Sequence, residues 1–101
     1  NDLLQKMIAR AHMYMPALAN LLLLRVWTGF RPATRDKLPL IGAWPGRQGL
    51  YIAAGHEGLG ITTSLGTADL LAAEILGTTP PFSPTPFRAS RILDPDYGHH
   101  E

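Results

Sequence analysis

The stretch Leu50-Tyr51-Ile52-Ala53-Ala54-Gly55-His56-Glu57-Gly58-Leu59-Gly60 decides the fold of this chain. Its first five residues are apolar, and such a short unbroken run is typical of a strand buried on both faces. Three glycines then occur within six residues, which predicts a turn whose backbone can approach another group closely. The next apolar residues recur at spacings of four and three, the pattern of an amphipathic helix: Ile61, Leu65, Ala68, Ala72 and Ile75. Gly77 follows as its expected end.

A strand, a glycine-rich turn and a helix in this order predict a contact for a ligand. A helix N-terminus directed at the turn offers backbone N–H donors and a partial positive charge. The turn is therefore a candidate contact for an electron-rich group.

The composition sets limits on function. The chain has 101 residues, enough for one small domain or a part of a larger one, and 46% are apolar, which argues against disorder throughout. A net charge of +1 gives no field that would attract nucleic acid. The absence of cysteine excludes disulfides, thiolate metal sites, thiol catalysis and cysteinyl attachment of a cofactor. We expect a cytoplasmic location, with the inner face of the membrane as a second possibility.

The N-terminal third predicts a helix followed by a strand. Apolar spacing and an N-cap at Asn1 or Asp2 predict a helix from Asp2 to Tyr14, ended near Pro16. Alternating faces predict a long strand over residues 21–30. Pro32 halts regular pairing, so Arg31 is expected at the mouth of that strand.

The C-terminal third predicts an irregular arm and a frayed tail. Residues 78–86 contain four prolines, and Phe82 and Phe87 are expected to fix this arm to the body. Arg88 and Arg91 are expected to face solvent or a partner. From residue 94 to residue 101 we expect a frayed tail, in which His99 and His100 have no metal-binding role.

The fold class predicted from these elements is mixed α/β, incomplete on its own. A doubly buried strand needs parallel neighbours and helices on both faces, which this chain does not supply. We therefore expect it to be part of a larger unit: a fragment, a proteolytic remnant or one subunit of a complex.

Residues Trp27–Gly42 and Leu50–Ile61 resemble the C-terminal part of FAD-dependent amine and amino-acid oxidoreductases. This is the D-amino-acid oxidase superfamily, which includes glycine oxidase, sarcosine oxidase and the D-amino-acid dehydrogenases. The arm at Pro81–Pro84 extends the resemblance, which covers residues 20–90. Lys37 stands where many relatives have a glycine, a departure that affects the shape of one turn.

The resemblance implies a division of the chain between two domains. Residues 1–37 would be a substrate-domain segment, and residues 38–91 would supply the last strand and helix of a Rossmann-like FAD domain. Residues 92–101 would be a flexible tail. The implied chemistry is hydride transfer from the carbon bearing the amine to the flavin, which gives an imine. The isolated chain is expected to be inactive.

The resemblance also implies roles for particular residues. Arg31 matches the arginine that binds the substrate carboxylate; a structural salt bridge is the alternative. Seven residues would lie against a non-covalently bound FAD, whose ADP end is held outside this chain: Gly55, His56, Glu57, Gly58, Leu59, Gly60 and Ile61. The alternative is a tight connection without a ligand. His56 is expected to position the turn rather than act as a base. Glu57 and Leu59 are expected to face the substrate. No catalytic acid, base or metal ligand is expected.

A different function also fits the pattern. The chain could be a non-catalytic small subunit or assembly module that completes a partner protein's sheet, since the same bare strand would serve that purpose.

Overall fold

The computed structural model describes residues 1–98, and its first element confirms the predicted helix. Helix α1 spans Asp2–Tyr14. The Asn1 side chain accepts a hydrogen bond from the Leu3 N–H at 3.0 Å, as expected of an N-cap. Pro16 then begins a short 3₁₀ turn, Pro16–Asn20, because proline cannot continue the α-helical bonding. No residue of α1 is buried.

The predicted strand over residues 21–30 is wrong. These residues belong to no helix or strand, and all of them are exposed, with Leu24 at 95% and Phe30 at 105%. The physical reason is that a strand exists only through hydrogen bonds to a neighbouring strand. Within residues 1–98 no strand pairs with this segment, so its alternating pattern has nothing to order it.

The sheet of the described residues is one antiparallel pair. Strand β1 spans Leu40–Ala43, and strand β2 spans Tyr51–Ala54, as the sequence predicted for the latter. Leu40 lies opposite Ala54, and Ala43 lies opposite Tyr51. The prediction that β2 is buried on both faces is wrong in this structure, because its residues are only exposed or half-buried and no parallel neighbour covers them.

Helix α2 spans Ser64–Leu76, and Gly77 ends it in the left-handed conformation at φ 67°, as predicted. The face that it buries is not the predicted one. Helix α2 packs mainly against β1, and its buried residues are Leu70 and Ala73, 3% and 6% exposed. Ile61 and Leu65 are 94% and 81% exposed. Apolar residues line both sides of this helix, so periodicity alone could not choose between them. A helix that is apolar on several sides is typical of one enclosed within a larger protein.

The arm is irregular, as expected, with two 3₁₀ turns at Thr85–Phe87 and Ala89–Leu93. The rings of Phe82 and Phe87 meet edge to face at 6.1 Å. A Cβ atom on Gly66 would lie 3.8 Å from the Phe82 ring, so Phe82 fixes the arm to helix α2, as predicted. The predicted fraying is wrong for residues 94–98. There the Tyr97 hydroxyl accepts a hydrogen bond from the Arg35 N–H at 3.1 Å, a contact that local sequence does not encode. His99 and His100 lie outside the described residues.

The core is small for the amount of apolar sequence. Four apolar residues are buried among those described: Ile41, Leu70, Ala73 and Ala89. The radius of gyration is 19.2 Å, compared with about 13 Å for a compact chain of this length. The described architecture is therefore a mixed α/β arrangement of two helices and a two-stranded sheet that leaves most of its apolar surface bare. None of its helices, over residues 1–98, is long and apolar enough to cross a membrane.

Candidate functional site

Gly55 begins the turn after β2 at a position where only glycine fits. It is buried, and its φ of 82° lies in the left-handed region that side chains disfavour. A Cβ atom at this position would lie 2.9 Å from the Thr34 Cγ2 atom. The turn therefore packs directly against the segment that follows residue 30.

Residues 31–33 run alongside this turn. Ala33 and His56 form an isolated antiparallel bridge, and the Glu57 N–H donates to the Pro32 carbonyl at 3.0 Å. A Cβ atom on Gly58 would lie 3.8 Å from the Cδ, Nε and Cζ atoms of Arg31. The structure thus brings Arg31 and the glycine-rich turn together, although the strand expected to carry Arg31 does not form.

Arg31 is exposed and makes no salt bridge within residues 1–98. A guanidinium presents donors in a planar fork that matches a carboxylate. Arg31 is therefore available to bind an anion beside the turn.

The turn itself offers backbone donors. The N–H groups of Gly58, Gly60 and Ile61 have no acceptor within the described part of the chain. Free backbone donors of this kind can stabilise negative charge on an electron-rich group.

A short segment separates the glycine-rich turn from helix α2. Helix α2 begins at Ser64 rather than at the turn, and the N–H groups of Thr63 and Ser64 donate to the carbonyls of Leu59 and Ile61 at 2.9 and 3.3 Å. The two hydroxyls bond to the same carbonyls at 2.7 and 2.8 Å, which is how Thr and Ser compete with regular helical bonding. The N–H groups of Thr63 and Ser64 are therefore bonded within the chain and are not free for a ligand.

His56 connects the turn to α2. Its Nε2 atom lies 2.9 Å from the Thr67 Oγ1 atom, and the ring is half-buried. This contact agrees with a positioning role for His56. Glu57 and Leu59, the positions expected to face substrate, are both exposed.

Asp36 and Arg91 are important residues that sequence reasoning missed. Arg91 was expected to face solvent or a partner; instead its Nε atom lies 2.6 Å from the Asp36 Oδ2 atom. The hydrogen bonds from Arg91, the Leu38 N–H and the Thr34 hydroxyl hold the pKa of the Asp36 carboxyl well below its usual range. The Thr34-x-Asp36 spacing is a turn signal, but no local pattern pairs Asp36 with an arginine 55 residues away.

The part of the chain that the structure describes has no candidate metal site. Residues 1–98 contain no group of three His, Asp or Glu side chains arranged to hold a metal ion.

The family model described as FAD dependent oxidoreductase matches residues 1–74. Since the match covers most of the sequence, the chain belongs to this family, the one that its motifs resembled.

The chain is also similar to several curated proteins, of which it spans about a fifth of the length. Hydrogen cyanide synthase subunit HcnC of Pseudomonas protegens is 40% identical over 77% of this chain and 19% of its own. Glycine oxidase of Geobacillus kaustophilus is 40% identical over 66% of the chain and 18% of its own. D-amino acid dehydrogenase of Chromohalobacter salexigens is 43% identical over 64% of the chain and 15% of its own length. No solved structure gives a significant match.

Proposed function

We propose that this chain forms the substrate- and flavin-facing end of an FAD-dependent enzyme that oxidises an amino acid or a secondary amine. The observation that carries the proposal is the contact between residues 31–33 and the turn 55–58, which sets Arg31 beside the backbone of Gly58. Family membership and the names of the similar proteins, glycine oxidase and D-amino acid dehydrogenase, support this class of reaction.

In this proposal each part of the site has a separate task. FAD, when bound, would accept a hydride from the carbon that bears the amine. The N–H groups of Gly58, Gly60 and Ile61 would stabilise negative charge on the edge of the flavin ring. Arg31 would bind the substrate carboxylate in two parallel hydrogen bonds and so hold the substrate against the cofactor. Glu57 and Leu59 would face the substrate.

The proposed fold places β2 and α2 as the last strand and helix of a Rossmann-like FAD domain, with residues 1–37 in the substrate domain. The free edge of β2 supports this. Trp44 donates to Leu50 at 2.8 Å, so the alternation of antiparallel bonds directs the backbone groups of Tyr51 and Ala53 away from β1. Those groups are unpaired within residues 1–98 and are suited to a further strand. The ADP end of FAD would be held by other parts of the enzyme.

The test uses the full-length protein that contains this chain. We expect the purified protein to show the absorbance of bound flavin, and we expect glycine or D-alanine to bleach it under anaerobic conditions. A protein that contains no flavin, or whose flavin no amino acid or secondary amine reduces, would contradict the proposal. The cytoplasmic location expected from the sequence stays a prediction.

The second candidate function is a non-catalytic small subunit that completes a partner's sheet. The free edge of β2 and the exposed side of α2 favour association of some kind, and one similar protein is named as a subunit. Purification under native conditions separates the two candidates. A flavin within the same polypeptide supports the first, whereas a flavin that resides in a separate, co-purifying chain supports the second.

A further inference from the structure

The arm at residues 88–97 is fastened to the loop at residues 34–38 by one arginine. Arg91 donates from Nε to Asp36 Oδ2 at 2.6 Å and from Nη2 to Asp36 Oδ1 at 3.1 Å. Nη2 also donates to the Leu38 carbonyl at 2.6 Å, while Nη1 donates to the Arg88 carbonyl at 3.0 Å. All three guanidinium nitrogens are therefore used, and the side chain is held in a single geometry.

The Asp36 carboxylate links Arg91 to Thr34, because it is bonded to both side chains. The Oδ1 atom of Asp36 accepts a hydrogen bond from the Leu38 N–H at 3.1 Å. The Thr34 hydroxyl lies 2.9 Å from this Oδ1 atom and 2.6 Å from the Leu38 carbonyl oxygen, so its one proton is shared between two acceptors that Arg91 also binds. The loop is thus closed on itself around the carboxylate that Arg91 binds. Loss of the arginine would leave this carboxylate with its local partners only.

Thr34 in turn contacts the glycine-rich turn. Its hydroxyl belongs to the Asp36 network, while its Cγ2 methyl lies against Gly55, so close that an added Cβ would approach to 2.9 Å. The preceding residues Pro32 and Ala33 bond to the same turn. A continuous chain of contacts therefore leads from Arg91 to the place where Arg31 meets Gly58.

We propose that Arg91 is a positioning residue for the candidate site, which acts through Asp36 and Thr34 to hold residues 31–34 against the turn 55–58. Arg91 itself touches neither substrate nor cofactor in this account. The inference rests on the proposed function only for its effect on substrate; its effect on the backbone of the turn is independent of any reaction.

The first test measures kinetics in the full-length flavoprotein with glycine and D-alanine. Arg91→Gln should raise KM about tenfold through misplacement of Arg31, with less than about a threefold change in kcat and with flavin content unchanged. Arg91→Lys should recover part of the loss, since it keeps the charge but not the fork. Asp36→Asn should resemble Arg91→Gln, and the double variant should be no worse than either single variant.

Two further variants test the separate contacts of this relay, by which we mean the path from Arg91 through Asp36 and Thr34 to the turn 55–58. Thr34→Ser keeps the hydroxyl bonded to Asp36 but removes the methyl that packs on Gly55, so KM should rise by about threefold with the ion pair intact. Arg88→Gln is the matched control. It changes a neighbouring arginine that makes no ion pair within the described residues, and its KM should equal that of the parent.

The second test does not depend on activity. Hydrogen exchange in the full-length protein should become faster at residues 31–38 and 55–60 in Arg91→Gln, and it should stay unchanged there in Arg88→Gln. Faster exchange confined to residues 85–98, or an unchanged KM with only a lower melting temperature, would overturn the positioning role. Absence of flavin and of amino-acid oxidation would contradict the proposed function instead. The hydrogen-exchange result would still show whether Arg91 positions residues 31–34 against the turn.

Discussion

Residues 21–30 and residues 31–60 are both rich in apolar side chains, yet only the second segment is held by contacts with the rest of the chain. The first segment is exposed along its whole length and forms no pairing. The second is held by a hairpin, by the bridge between Ala33 and His56, and by Arg91 from the distant arm. The candidate site is therefore held together by contacts between residues that are far apart in the sequence. Residues 21–30, in contrast, need a neighbouring strand or helix that residues 1–98 do not supply.

The most damaging change to the well-held region should be Gly55→Ala. The new Cβ would meet Thr34 Cγ2 at 2.9 Å and would force a side chain into φ 82°, so we expect a loss of about 4 kcal/mol in the free energy of unfolding. Gly46→Ala is the matched control, because its φ of 76° is similar but nothing lies within 4 Å of its Cβ. Denaturant titration of the full-length protein measures both. Equal losses would show that the contact with Thr34 contributes nothing.

The bare surface can be tested by a pair of leucines on α2. Leu70→Ala removes a side chain that is 3% exposed, and we expect a loss of about 3 kcal/mol. Leu65 is 81% exposed here, so Leu65→Ala would cost less than about 0.5 kcal/mol if this face stayed in water. If the rest of an FAD domain covers this face, Leu65→Ala should lower the free energy of unfolding of the full-length protein by about 2 kcal/mol. A cost near zero there would contradict enclosure of α2.

The ion pair at the centre of the loop predicts a dependence on pH. Because the folded-state pKa of Asp36 is lowered, its contribution to stability is present above the unfolded value of about 3.9 and is lost as the pH falls through the folded value. Asp36→Asn should therefore cost about 2 kcal/mol at pH 7, and this difference from the parent should shrink as the pH falls below about 4. Unfolding curves at several pH values check this. A difference that does not change with pH would exclude the ion pair as its cause.

The smallest expected effect is at Lys37, which has a φ of 61°. Lys37→Gly should raise the free energy of unfolding by about 0.5 kcal/mol, since glycine adopts this conformation without strain but loses more entropy on folding. Lys37→Ala is the control and should give no gain, because alanine retains the Cβ. A stabilisation by both variants would point to the lysine charge instead of the backbone.

Local signals in the sequence predicted much of this structure. The bounds of α1, the strand β2 and the left-handed Gly77 were all correct, since each is set by neighbouring residues. The failures have a common cause: pairing of residues 21–30, the choice of face on α2 and the contacts of Arg91 depend on residues far along the chain. For the site, the motifs indicated Arg31 and the turn, and the structure brings them together. Thr34, Asp36 and Arg91 became visible only through the fold.

The measurement that tests the central claim most directly is the kinetics of Arg31→Leu in the full-length flavoprotein, with Arg47→Leu as the control for loss of an exposed arginine. If Arg31 binds the substrate carboxylate beside the turn, KM for glycine or D-alanine should rise about 100-fold while flavin content stays the same, and Arg47→Leu should change neither. An unchanged KM, or a loss of flavin in proportion to the loss of activity, would contradict the account.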